Sequence, residues 1–387
     1  MRVLCIEPSF ATKFPPLGLM KLSAYHKSMG DEVVFYKGNM KPNGIHYEII
    51  YITSLFTWFA DCTIDCIKHY QKHFKKSQIQ VGGIFATLMP EMIYEKTGIR
   101  TFCGYKRELE NILPDYSLMK KGTYKDDYSY VFTTRACPNK CKFCAVETLD
   151  GQFWVNPEWK KQVDPSKKRI VVFDNNITGS PYEHFEDVMS YICEHNLSVK
   201  FENGVDIRFT TPKHAKWLAK IDIEYEGMKI AFDTPATDGL FQRKVKMLQA
   251  NGVKGSDMAT YTLCNFNDTV EEAHYRCRQS VTLGLRPIPL FYIPLDHTNP
   301  RQAVRMNANW TNDIIANFKH FYTRGGMWRK KCFWDWIKDP NRETYVSKEI
   351  PLVTDFEPDR TSKWYRPHEE EIYMGKESLD LESYLTE

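Results

Sequence analysis

Short apolar runs alternate along this chain with stretches in which apolar residues return every three or four positions. Residues 2–6, 33–36, 49–54 and 79–81 read as buried strands, and 101–103 as a fifth. Leu19, Leu22, Ala24 and Tyr25 mark a helix that Gly30 stops; Ile64, Ile67 and Tyr70 line one face of a helix over 62–74. This alternation predicts a parallel, doubly wound sheet. The link over 38–47 is short and holds Pro42 and Gly44, so that an ordinary crossover helix would barely fit and the domain reads as trimmed.

A polar stretch over 114–127, with Gly122 and several lysines, precedes a second run of alternation. There 128–134, 170–174, 199–202, 229–233, 258–264 and 287–292 read as strands. Helices are expected over 182–195, 213–221, 240–251 and 270–283, and a closing helix over 303–322. Six strands suit a partial (β/α)6 barrel of the TIM type rather than the closed eight-stranded form. The expected fold is therefore α/β, with a Rossmann-like sheet over 1–122, a partial barrel over 123–325 and an extension over 326–387. The extension gathers Trp328, Phe333, Trp334, Trp336, Trp364 and Tyr365, then turns acidic at Glu369, Glu370, Glu371 and Asp380. A large aromatic buries ~150–250 Å², so 328–336 is expected to dock, either on the barrel to help wall its substrate side or equally over the barrel's bottom or as a bridge to the first domain, leaving the acidic end solvated.

Composition changes this picture little. At 387 residues the chain has room for two domains or more, and 26% charged with 42% hydrophobic residues is ordinary for a globular protein. A net charge of +3 argues against polyanion binding by overall charge. The basic and aromatic run over 324–331 keeps nucleic acid open as a substrate. No apolar run reaches the ~18 residues of a membrane span, and the N-terminus reads as a strand rather than a signal peptide. A cytoplasmic protein with no membrane partner is expected.

The eleven cysteines are odd in number and irregular in spacing, which argues against a disulfide framework. Most are expected to serve as small buried apolar residues. Cys137, Cys141 and Cys144 differ: they fall in the loop Arg135-Ala136-Cys137-Pro138-Asn139-Lys140-Cys141-Lys142-Phe143-Cys144, directly after a strand. Three thiolates at C-x3-C-x2-C spacing can hold an iron–sulfur cube and leave one iron open. Half of a zinc site is the alternative, although zinc prefers four ligands and no second C-x2-C exists here.

This motif resembles the signature of the radical S-adenosylmethionine (SAM) superfamily, in the branch with an N-terminal cobalamin-binding-like domain. Pro15-Pro16-Leu17-Gly18-Leu19, Ser54-Leu55-Phe56-Thr57, Val81-Gly82-Gly83, Ala86-Thr87-Leu88 and Pro114-Asp115-Tyr116-Ser117 are similar to stretches of that branch, in order, over residues 1 to about 295. The resemblance implies that Cys137, Cys141 and Cys144 hold a [4Fe–4S] cluster whose open iron binds SAM, with Phe143 near the adenine. It implies reductive cleavage of SAM to a 5′-deoxyadenosyl radical that abstracts hydrogen from an unidentified substrate, and a reducing partner such as flavodoxin or ferredoxin. Further SAM contacts are expected at strand ends: Asp174 or Asn175 for the amino group, Arg208 for the carboxylate and Asp233 for the ribose. The family's Gly-Gly-Glu form of the second-strand motif is absent.

The loop where that branch often carries a cobalt-binding His reads Glu7-Pro8-Ser9-Phe10-Ala11-Thr12, and His26 on the next helix reads as a surface residue. Ser54 and Gly82-Gly83 are what a nucleotide tail would pack against. Cobalamin is thus an open but disfavoured cofactor, and the first domain reads as vestigial. The rival functions are a cobalamin-dependent radical SAM methyltransferase, a non-catalytic iron–sulfur electron-transfer or binding protein, and a zinc-stabilised nucleic-acid binder.

Overall fold

The computed structural model describes residues 1–42, 44–298, 309–323, 327–329 and 331–339. They divide into two units, the first drawn mainly from Met1–Cys137 and Ala145–Asn175, the second from Pro138–Cys144, Asn176–Pro294 and the described residues from 309 onward.

In the first unit, β1 (Arg2–Glu7), α1 (Leu17–Ser28), β2 (Glu32–Lys37), β3 (Ile49–Ser54), α2 (Ala60–Gln71) and β4 (Ile79–Gly83) follow in chain order. The strands form a parallel sheet in the order β2-β1-β3-β4. Alternate residues of β1 and β3 (Leu4, Ile6, Ile50, Ile52) meet Ile64, Ile67 and Tyr70 of α2 in one apolar core. Full burial of such side chains contributes about 1.5–3 kcal/mol each. Among the described residues, no helix lies between β2 and β3.

Residues 101–103 do not form the expected strand. Phe102 N donates to Val81 O at 2.8 Å, but Gly104, at φ +78°, then turns the chain. Two short helices, α3 (Ile84–Leu88) and α4 (Pro90–Thr97), lie before that point. His26 is buried, not on the surface: its Nδ1 meets Asp31 at 2.7 Å and its Nε2 the Tyr51 hydroxyl at 3.1 Å. Gly83 has φ +107°, and a Cβ there would stand 2.2 Å from Ser54 O. The Ser54 hydroxyl donates to Gly82 O and accepts from Ala86 N, each at 2.9 Å.

The same unit holds β5 (Tyr128–Val131), β6 (Thr134–Arg135), α5 (Val146–Asp150), β7 (Trp154–Val155) and β8 (Arg169–Val172). The expected strand over 128–134 is broken at Phe132 and Thr133. Gln162 takes both backbone groups of Phe132, at 3.2 and 2.8 Å, and Asp174 takes the Thr133 N–H. The chain then pairs β6 antiparallel with β7.

The second unit runs α6 (Tyr182–Glu194), β9 (Ser198–Val205), α7 (Pro212–Leu218), β10 (Asp222–Ala231), α8 (Leu240–Ala250), β11 (Met258–Cys264), α9 (Val270–Thr282), β12 (Arg286–Phe291), α10 (Asn312–Thr323) and α11 (Phe333–Lys338). The larger parallel sheet has the order β12-β11-β10-β9-β8-β5, so each strand lies beside its predecessor in that series. β10 begins well before the expected 229. Its first half is hidden by a register shift between Ile223 and Met228, with Glu226 at φ +51°. α10 begins at Asn312; the expected helical residues 303–308 lie outside the described set.

The extension docks, as its aromatics demand, but on the outer helices. Trp328, Phe333 and Trp336 are buried in one cluster with Val270, Ala273 and Cys277 of α9 and Ile314, Phe318 and Phe321 of α10. The extension from residue 340 onward, with Trp364, Tyr365 and the acidic stretch from Glu369, lies outside the described residues, as do Arg324, Gly325, Gly326 and Lys330 of the basic run. No described helix is long and apolar enough to cross a membrane.

Candidate active site

The cysteine loop is entered through a strained turn. Ala136 is fully buried at φ +61°, a conformation that costs a residue with a Cβ about 1 kcal/mol or more. Arg135, just before it, is held by a two-pronged pair with Glu110 at 2.8 and 2.9 Å and lies over the Phe132 ring at 3.5 Å. Within the loop, Cys144 N donates to Cys141 O at 2.9 Å. None of the described cysteines forms a disulfide. Outside the motif, Cys5, Cys66, Cys264 and Cys277 are buried as expected, but Cys62 and Cys332 are half-buried, and Cys103 and Cys193 are exposed. Burial pushes the Cys5 and Cys66 thiols up to about 12, so both stay protonated near neutral pH.

A small cavity opens in the second unit where β9 and β10 end. Cys141 and Phe143 of the loop line it together with Asp206, Ile207, Arg208, Ala231, Asp233, Thr234 and Thr237. Four of the expected residues are thus brought to one place: Cys141, Phe143, Arg208 and Asp233. Phe143 also packs edge-on against Phe266 at 5.6 Å.

Asp206 is the centre of this wall. Its carboxylate accepts from Arg208 Nε at 2.8 Å and Nη2 at 2.6 Å, from Asn139 Nδ2 at 2.9 Å and from Asn176 Nδ2 at 3.2 Å. Burial works against the Arg208 charge, but Asp206 and then the Cys141 sulfur more than offset it, and the guanidinium is held firmly protonated. Asp233 accepts from Leu263 N at 3.1 Å. Burial raises its carboxyl to about 6, against the opposing pull of Arg276, the Leu263 N–H and Arg208. Arg276, fully buried on α9, donates to Phe232 O at 2.8 Å and Leu263 O at 2.9 Å and pairs with Asp268. It thereby fixes the ends of β10 and β11 around Asp233.

Asp174 and Asn175 belong to the first unit and do not line this cavity. Asp174 is buried and accepts from Thr133 N at 2.6 Å, from the Thr133 hydroxyl and from the Thr134 hydroxyl at 2.9 Å. Asn175 donates to Asp150 Oδ2 at 2.9 Å. Both are engaged in bracing the chain around the cysteine loop's entry. Asp206 and Arg276 are the residues that sequence reasoning passes over. The signal for Asp206 is present: Phe173-Asp174, Val205-Asp206 and Phe232-Asp233 each step from an apolar residue to Asp at a strand's end. Arg276 betrays itself as a cation on the apolar stripe of a helix, between Ala273 and Cys277.

Among the described residues, no three His, Cys, Asp or Glu side chains are gathered as a ready metal cage. Neither a protein-family model nor a curated protein matches the chain.

Proposed function

We propose that this chain is a radical SAM iron–sulfur enzyme. The observation that carries the reading is one juxtaposition: the C-x3-C-x2-C loop delivers Cys141 and Phe143 into the same cavity as the strand-end residues Arg208 and Asp233. A non-catalytic iron–sulfur carrier has no use for that polar wall. The strictly sequential order of the larger sheet supports a partial (β/α)6 barrel, whose active sites form at strand C-terminal ends. The reversal of direction in β2-β1-β3-β4 supports a Rossmann-like first domain.

The donor set suits a cluster. The loop's cysteines lie at partly or fully accessible positions, with Lys140 and Lys142 exposed between them, and Arg208 interacts with the Cys141 sulfur. Nearby cations favour thiolate over thiol. Since no cage is preformed, the loop would close around its metal. Cys137, Cys141 and Cys144 would hold a [4Fe–4S] cluster, which with bound SAM supplies a 5′-deoxyadenosyl radical for hydrogen abstraction. Arg208, paired with Asp206 and in contact with the Cys141 sulfur, presents its guanidinium at the cavity wall for a carboxylate. Asp233, ionised above about pH 6, presents an acceptor for ribose hydroxyls. Phe143 gives an aromatic face for an adenine ring.

The first domain does not suit cobalamin. Ser54 spends its hydroxyl on Gly82 O and Ala86 N, Gly83 is required by the Ser54 backbone, and Glu7 at the end of β1 is taken by Tyr124 and Lys37. A vestigial domain is the better reading. A low-potential donor such as flavodoxin or ferredoxin would supply the electron, in a reducing cytoplasmic setting.

The test is anaerobic reconstitution with iron and sulfide, reduction in the presence of SAM, and mass spectrometry of the products with and without cobalamin. Slow formation of 5′-deoxyadenosine without cobalamin is expected. Cobalamin-dependent S-adenosylhomocysteine would make the protein a methyltransferase. Cluster assembly with intact SAM would make it an electron carrier.

A further inference from the structure

We propose that Asp206 is a positioning residue that couples the cysteine loop to Arg208, so that the anion-binding arm and the cluster-holding loop take up their geometry together. The inference rests on the radical SAM reading and deepens it.

A carboxylate offers about four acceptor sites. Those of Asp206 are filled from three separate segments: Asn139 between the first two motif cysteines, Asn176 after β8, and the guanidinium fork of Arg208. The backbone beneath it is fixed as well. Asp206 N donates to the Thr178 hydroxyl at 2.9 Å, and Asp206 O accepts from Thr178 and Thr210 at 3.0 and 2.9 Å. The carboxylate therefore cannot follow one partner without disturbing the others. An anion drawn against Arg208 loads Asp206, and through Asn139 it loads the segment joining Cys137 to Cys141. In the other direction, closure of the loop around a metal pulls on Asn139 and aims Arg208. Charge-assisted bonds of this kind are short and stiff, which is what such a transmission requires.

The test uses full-length protein, reconstituted anaerobically and reduced, with SAM itself as the probe. Iron content, thermal midpoint, KM and kcat for SAM cleavage, and the electron paramagnetic resonance spectrum with and without SAM are compared for wild type, Asp206→Asn and Asn139→Ala. Asp206→Asn keeps the volume and one acceptor but loses the charge. It should retain its iron while KM for SAM rises about tenfold, the size expected for one charged contact. Asn139→Ala removes the loop's bond to Asp206, so it should change the cluster spectrum and its response to SAM. Wild-type KM and spectra in both variants would overturn the proposal. So would an Asp206→Asn protein whose iron, thermal midpoint and SAM affinity fall in proportion, since that is fold maintenance alone. If Asp206→Asn does not fold, the Asn139→Ala spectrum decides the matter. The wild-type arm separates the two ideas: wild type without iron or SAM cleavage defeats the radical SAM reading, whereas turnover unaffected by either variant defeats only the role of Asp206.

Discussion

Thr133 and Asp174 are tied together twice, by the Thr133 N–H at 2.6 Å from Oδ1 and by its hydroxyl on Oδ2. Removing the carboxylate takes away an acceptor shared by a buried N–H and two buried hydroxyls. Asp174→Ala should therefore lower stability by about 2–4 kcal/mol, read as a fall in the urea midpoint. Asp174→Asn keeps one acceptor, and the hydroxyls can rotate to accept from its amide, so its cost should be smaller.

Three buried carboxyls should each weaken the fold as pH rises from about 4 to about 6, while His214 and His274, lowered by burial from 6.5 to about 4, work in the opposite direction. Burial raises Asp174, Asp233 and Asp268 from 3.8 to about 6 each. Between those values the folded state holds protons that the unfolded chain has lost. Raising the pH through this window removes them from the folded state, and the loss is complete above it. Each group contributes about 1–3 kcal/mol to the slope. The wild-type urea midpoint minus that of Asp174→Asn should therefore decline as pH rises across the window, since that difference isolates Asp174.

Iron should follow three cysteines. Single Ala replacements at Cys137, Cys141 or Cys144 should remove the brown colour and most of about four irons per chain. Cys103→Ala and Cys193→Ala, at exposed sites outside the motif, should leave both untouched. Stoichiometric zinc after anaerobic preparation would contradict the cluster.

Substitutions at the cavity should separate affinity from fold. Arg208→Ala is expected to weaken SAM binding by about 1.5–3 kcal/mol, the value of a charged hydrogen bond. Asp233 is the stronger acceptor, through both oxygens, when ionised, so binding should weaken as pH drops below about 6. Asp233→Asn should bind more weakly at neutral pH and show little of that dependence. Isothermal titration with SAM at several pH values reads both.

The extension should matter to stability more than to chemistry. Phe333→Ala or Trp336→Ala empties a packed aromatic site and should cost about 3–5 kcal/mol. Neither residue lines the cavity, so SAM cleavage per folded molecule should persist at low temperature.

Much of this architecture is legible in the residues, because strand and helix faces are set by local periodicity. The first unit's strands over 33–36, 49–54 and 79–81 and the face of Ile64, Ile67 and Tyr70 follow from that alone. What escapes is set by distant partners. The burial of His26 depends on Asp31 and Tyr51 closing over it, and no helical pattern announces that. The third strand of the larger sheet reads as ending at 202 because Glu202, Asn203 and Gly204 are polar or flexible. The backbone continues to Val205, so attention falls on Arg208 rather than on Asp206, which organises it. In the same way, the break at Phe132 and Thr133 is imposed by Gln162 and Asp174, residues that propensity at 128–134 does not see.

The sequential order of the larger sheet also sets a timetable. Every strand finds its neighbour in the preceding member of the series, so pairing needs only short closures and can proceed while the chain is being made. Synthesis brings out β5 and the cysteine loop before Asp206, Arg208 or Asp233 exist. For that interval Cys141 has neither Arg208 beside it nor the cavity wall around it, so the loop cannot take up its finished surroundings until β9 and β10 have been made.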